Sequence, residues 1–129
     1  MEIDKECKFT KEHEWIRLED NVVTVGITDY AQTQLGDVVF VELPDEGDTV
    51  TKGESLGVVE SVKAVSDIFA PVSGEIIAAN SPLKDQPEQV NADCYGEGWM
   101  VRIEMSNIDE LEDLMSPDDY ATFVAAEHG

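Results

Sequence analysis

The run Val22-Val23-Thr24-Val25-Gly26-Ile27, preceded by Glu14-Trp15-Ile16-Arg17-Leu18 and the turn Glu19-Asp20-Asn21, sets the pattern of this chain. Short β-branched runs alternate with turn residues. Runs of this length fold as strands joined by tight connections, and the pair just quoted is predicted to be a β-hairpin. Residues 37–43 form the next strand, Pro44-Asp45-Glu46-Gly47-Asp48 a turn, and residues 49–51 a short strand before Lys52-Gly53. Two further strands, residues 55–60 and 64–69, flank Ser61-Val62-Lys63, which places Lys63 at or beside a hairpin tip. After the turn at residues 70–74 comes a strand over residues 75–79. Later, Trp99, Val101, Ile103 and Met105 alternate with Met100, Arg102 and Glu104, the period-2 signature of a half-buried strand.

Helical signals are short and lie between or after the strands. Thr28 is placed to cap a helix carrying Tyr30, Ala31 and Leu35, with Gly36 as its stop. Ser81-Pro82 suits an irregular helical turn, interrupted at Pro87. Toward the C-terminus Ile108, Leu111, Leu114 and Met115 share a helical face. Ser116 starts a second helix, with Pro117 at its first position, Asp118 and Asp119 at the positive end of the dipole, and Tyr120, Phe123 and Val124 as its apolar face. These apolar stripes are expected to be core contacts. A similar rhythm in residues 40–53 and 67–80 suggests two related half-sheets packed face to face, with the Lys63 hairpin leading from one to the other. A chain of 129 residues suits one domain.

Charge narrows the function classes. The 29 acidic residues outweigh 8 basic ones for a formal charge of −21, which argues against nucleic acid or an anionic membrane as partner. Basic docking faces or a salty cytoplasm suit it better. The leading residues are acidic and the apolar runs short, so neither a signal peptide nor a membrane span is expected, and the cytoplasm is the expected location. Cys7 and Cys94 lack CxxC spacing and form no motif with His13 or His128, so free thiols and no metal site are expected. Without GxGxxG or a P-loop, Gly26, Gly36, Gly47 and Gly53 are turn, cap and packing residues.

One segment carries chemistry: Glu60-Ser61-Val62-Lys63-Ala64-Val65-Ser66-Asp67, a lone lysine among apolar, small and acidic residues. An amine at a tight turn is an accessible nucleophile once deprotonated, and acylation would turn it into a neutral amide bearing an arm. On the residues alone, an ordinary solvated lysine is the commoner explanation.

This segment closely resembles the lipoyl-attachment segment of the glycine cleavage system H proteins, within the wider lipoyl and biotinyl carrier-domain family. Lys11-Glu12-His13-Glu14-Trp15, Val25-Gly26-Ile27-Thr28-Asp29-Tyr30-Ala31-Gln32, Leu35-Gly36-Asp37-Val38-Val39, Val41-Glu42-Leu43-Pro44 and Tyr95-Gly96-Glu97-Gly98-Trp99-Met100 are similar to that family's other landmarks, in order, from about Lys8 to Phe123. Asp93-Cys94 stands where a residue and a proline are usual, and Ala79 where an acid is common.

The resemblance implies a mainly β fold, a flattened β-sandwich barrel of the hammerhead type with short helices and a C-terminal helical segment. Residues 1–7 would be an extension, a disordered terminus or lineage-specific, ahead of one carrier domain over residues 8–129. It implies lipoate amide-linked to Lys63, with Glu60 and Gly74 read by the lipoylating enzyme and Glu14 and Asp67 lining the cleft that shelters the arm. It implies a non-catalytic subunit that carries the aminomethyl group of glycine from a glycine decarboxylase to an aminomethyltransferase and then meets dihydrolipoamide dehydrogenase. Each of Glu14 and Asp67 has a plain alternative as a solvated strand carboxylate, Glu60 as an exposed strand residue, and Gly74 as a turn glycine with positive φ. His13 is expected to be structural or exposed. Competing functions are a biotin carrier, whose lysine is usually flanked by methionines rather than Val62 and Ala64, a lipoyl relay to 2-oxo acid dehydrogenases, and an unmodified interaction module.

Overall fold

A computed structural model describes residues 1–128, so Gly129 of the expected domain and the side chain of His128 lie outside the described residues. In chain order the elements are β1 (Lys8–Phe9), β2 (Glu14–Glu19), β3 (Val22–Ile27), α1 (Asp29–Leu35), β4 (Val38–Glu42), β5 (Thr49–Val50), β6 (Ser55–Ser61), β7 (Val65–Phe69) and β8 (Gly74–Ala79). A 3₁₀ turn (Ser81–Lys84), α2 (Gln89–Ala92), β9 (Val101–Met105), a second 3₁₀ segment (Ile108–Asp113) and α3 (Pro117–His128) complete the chain. The strands form two antiparallel sheets, a six-stranded one in the order β1-β2-β3-β9-β8-β5 and a three-stranded one in the order β4-β6-β7. This is the mainly β sandwich expected, with its short helices and C-terminal helical segment.

The core follows from strand alternation. Val23 and Val25 of β3, Val59 of β6, Ile76 of β8 and Ile103 of β9 are fully buried and belong to one cluster spanning both sheets. A second cluster lies under α3, where Phe9 stacks on Tyr120 with ring centroids 4.5 Å apart. Trp15 is fully buried there and donates its indole N–H to the Cys94 carbonyl at 2.8 Å. Trp15 pairs with Gly26, where a Cβ would stand 2.7 Å from the indole ring, so the glycine makes room for the tryptophan.

Three expectations change. Met100, expected on the outer side of the last strand, is fully buried, because its N–H donates to Val25 and its carbonyl accepts from Asn80 before the regular strand begins at Val101. Ile108 stays 58% exposed, although Leu111 and Leu114 do pack on the core. Polar contacts anchor that 3₁₀ segment instead: Glu110 accepts from the Ser73 N–H at 2.7 Å and its hydroxyl at 2.9 Å, and Lys52 pairs with Asp113. Finally, the leading residues expected as an extension are docked. Asp4 pairs with Arg17 at 3.0 Å, the Glu2 carbonyl accepts from Tyr95, and Cys7 is 2% exposed. Both thiols are free, and burial pushes Cys7 up to about 11 and Cys94 up to about 12, which makes them poor nucleophiles.

Candidate functional site: a buttressed lysine turn beside a groove

Lys63 is the middle residue of the three-residue connection, Val62-Lys63-Ala64, between β6 and β7, and the backbone around it is held by neighbours rather than by its own side chain. The Ser61 N–H donates to the Ala64 carbonyl at 2.8 Å, closing the turn. The Ser61 hydroxyl oxygen accepts from the amides of Lys63 at 3.3 Å and Ala64 at 3.1 Å. Val62 donates to the Asp37 carbonyl at 3.2 Å, which ties the tip to the corner between α1 and β4.

That corner is splinted in turn. Thr28 caps α1 by accepting from the Ala31 amide, and Gly36 ends it at φ +80° with its N–H donating to Gln32. Asn91, from α2, accepts from Val38 N–H at 2.8 Å and donates to the Gly36 carbonyl at 2.8 Å and to Gln32 at 2.9 Å. The Lys63 stem lies over Gly36, where a Cβ would stand 3.4 Å from Lys63 Cε. Asn91→Ala would leave the Val38 N–H and the Gly36 carbonyl without partners, for an expected loss of about 1–3 kcal/mol in urea unfolding. Faster amide exchange at the tip is expected with it; unchanged exchange at Val62 would show that the splint does not reach the turn.

Beside the tip runs a groove of about 340 Å³. Ile27 and, from α1, Tyr30, Ala31 and Leu35 form one wall; residues 64–68 of the β7 edge form the other, and Glu12 and His13 lie at one end. His13 takes φ +68° and is locked by its neighbours. Its Nδ1 is 2.9 Å from the Tyr120 hydroxyl and its Nε2 is 3.0 Å from Glu127, while Tyr120 also meets the Thr28 hydroxyl at 2.7 Å. The imidazole therefore joins α3 to the groove, a structural role with one face in the cleft.

The other expected site residues do not all gather here. Asp67 is exposed, lines the groove and accepts from the Ser55 hydroxyl at 3.2 Å. Glu14 is only 1% exposed and lies behind the β7 wall. One of its oxygens accepts from the Thr10 hydroxyl at 2.7 Å and the other from the Phe69 N–H at 3.1 Å. Burial is the main cause that raises this carboxyl from 4.5 to about 7, against the lowering effect of those two hydrogen bonds. Such burial rules out a solvated strand carboxylate. Glu60 is half-buried on β6, between Phe40 and Val65 on the neighbouring strands. Gly74 lies in the other sheet and is buried; a Cβ there would stand 2.0 Å from the Glu104 carbonyl oxygen, so close strand approach demands the glycine.

Glu12 and Asn91 went unassigned in the sequence. Glu12 lines the groove, but a single exposed carboxylate in so acidic a chain has no sequence signal of its own. Asn91 carried no local signal, because its three partners are more than 50 positions away.

A two-sheet sandwich that offers one lysine on a buttressed turn, beside a groove, is the architecture of a carrier domain. The comparisons agree: the model of the glycine cleavage H-protein family matches residues 7–127, and the chain belongs to that family. It is 58% identical over 124 residues to the glycine cleavage system H protein of Anaeromyxobacter sp. (strain K), covering 96% of this chain and 97% of that one. To the glycine cleavage system H protein of Carboxydothermus hydrogenoformans it is 50% identical over 125 residues, covering 97% and 96%. The crystal structure of a glycine cleavage system H protein from Mycobacterium marinum superposes with a TM-score of 0.89 at 40% identity, covering 95% of this chain and 99% of that one. Among the described residues no helix is long and apolar enough to cross a membrane.

Proposed function

We propose that this chain is the lipoyl carrier of a glycine cleavage system, with lipoate in amide linkage to Lys63. It would take the aminomethyl group of glycine from a glycine decarboxylase to an aminomethyltransferase and then present its arm to dihydrolipoamide dehydrogenase. The observation that carries this is the placement of Lys63: an exposed residue on a turn fixed by Ser61 and Asp37, next in the chain to Ala64, which lines an apolar-walled groove. The residues fit the group, since a short hydrocarbon chain ending in a dithiolane is apolar along its length, as is the wall made by Ile27, Ala31 and Leu35.

Attachment needs a deprotonated Lys63 Nζ and an activated lipoyl ester. The amide C–N bond forms as the activating group leaves with its oxygen, and the proton from nitrogen passes to water. Once attached, the dithiolane supplies a disulfide able to take up a one-carbon unit and electrons together.

The chain's own residues position and shelter. Asp67 supplies a carboxylate on the groove for a cationic amine, and Glu14 supplies negative charge from behind the β7 wall whenever it is ionised. Tyr30 and Leu35 help keep water out. Glu60, beside the tip, and Gly74, through the strand spacing it permits, would serve recognition by the lipoylating enzyme. A peptide mass map of native protein tests the assignment: one lipoyl amide is expected, on Lys63. A lipoyl group on Lys52 or Lys84, or a biotinyl group anywhere, would overturn it.

A further inference from the structure

Among the described residues, eight large hydrophobic side chains are exposed, and four of them surround the Lys63 turn: Val39 at 52%, Phe40 at 48%, Val62 at 74% and Val65 at 68%. Their exposure is built into the backbone. β4 pairs with β6 at Val38 and Ser61 and again at Phe40 and Glu60, so Val39 is an extra, bulged residue. A bulge re-aims the side chains that follow it, and this one leaves two successive apolar groups in water on an edge strand. An exposed apolar edge is a hazard unless something covers it.

Strand register gives this face a pattern. Phe40, Glu60 and Val65 lie across from one another in one row; Glu42, Val58 and Asp67 form the next row but one. The row between them contains Val41 and Val59, which are buried, so the two outer rows share the solvent side. Three carboxylates thus alternate with three apolar groups. None of the ion pairs among the described residues involves Glu42, Glu60 or Asp67. No lysine or arginine lies in β4, β6 or β7, and Lys63 is the one cation of their connecting turn.

From this pattern, and resting on the lipoyl reading above, we propose that the outer face of β4-β6-β7 docks the enzyme that attaches the arm, through a surface on which basic and apolar groups alternate to match it. The choice of occupant follows from reach. An enzyme that acylates Lys63 Nζ works within one side-chain length of this face and must cover the flanks of the turn. The carboxylates take the basic groups, while Phe40 and Val65, on either side of Glu60, take the apolar ones.

The test uses the full-length unmodified protein and a purified lipoate-attaching enzyme supplied with lipoyl adenylate. Phe40→Ala and Val65→Thr are each expected to raise KM for the carrier roughly fivefold or more, with kcat within about twofold, as for apolar contact residues that serve docking rather than the chemical step. The Kd of the unmodified protein for the enzyme should rise in parallel, and Glu42→Gln should flatten its salt dependence. Ile77→Thr, on β8 of the other sheet, removes an exposed hydrophobic away from the turn and should change neither constant. Unchanged KM and Kd in Phe40→Ala and Val65→Thr, with melting temperatures like wild type, would overturn the proposal. So would an equal rise in Ile77→Thr, or concentration-dependent self-association that Phe40→Ala abolishes. If wild type accepts no arm, the carrier reading falls and the docking proposal with it; an arm added to Lys63 with unchanged constants removes the docking proposal alone.

Discussion

Arginine at position 63 is expected to abolish arm attachment completely while leaving the fold as it was. The substitution keeps the positive charge and nearly the length of the side chain, but a guanidinium does not form the acyl amide. Nothing that shapes the turn depends on the lysine side chain: the Ser61 hydroxyl, the Ala64 carbonyl and the Asp37 carbonyl hold the loop through its backbone. The variant should therefore melt within about 2 °C of wild type, the scale of a change well below 1 kcal/mol in a domain this size. Intact-mass measurement after incubation with the attaching enzyme should show no adduct. A residual lipoyl mass in Lys63→Arg would mean that a second lysine is used, and a large drop in melting temperature would mean that the stem packs over Gly36 more tightly than an exposed tip should.

The strands and the lysine were legible in the sequence because local rules govern both. Val22 to Ile27 alternates, Thr28 and Gly36 bracket α1 by cap chemistry, and the Lys63 connection is short enough to be only a turn. What stayed hidden depends on distant partners. Residues 14 to 16 are all buried, breaking the period of two, because Glu14 finds its hydrogen bonds at Thr10 and at Phe69, 55 positions away. Asn91 looks like any polar residue near a helix end until α1 and β4 are folded against it. The leading residues lack a pattern of their own and are ordered by Arg17, Asp29 and Tyr95. The site was therefore readable as a motif, whereas the side of the groove on which each carboxylate lies was not.

Glu14 yields the second large effect, and its sign runs against the usual expectation for removing a hydrogen-bonded charge. Its carboxyl is raised in the folded protein from 4.5 to about 7, chiefly by burial. The folded state thus binds this proton more tightly than the unfolded state. The contribution is fully present below about pH 4.5, is lost as pH rises toward 7, and becomes a constant cost above that, on the order of 3 kcal/mol. Glutamine has no proton to lose, and its amide oxygen can still accept from the Phe69 N–H. Glu14→Gln should therefore match wild type near pH 5 and exceed it by about 1–3 kcal/mol at pH 8. Urea unfolding of both proteins across that range checks it, because repulsion among the other acids is nearly common to both and cancels in the difference. Parallel stability curves would show that water or a rearranged wall relieves the buried charge. A gap that opens between pH 5 and 7 and levels off above would instead show that the folded carrier holds this proton up to about pH 7 and above that keeps an ionised, costly carboxylate behind the groove, where a cationic cargo amine would be drawn to it.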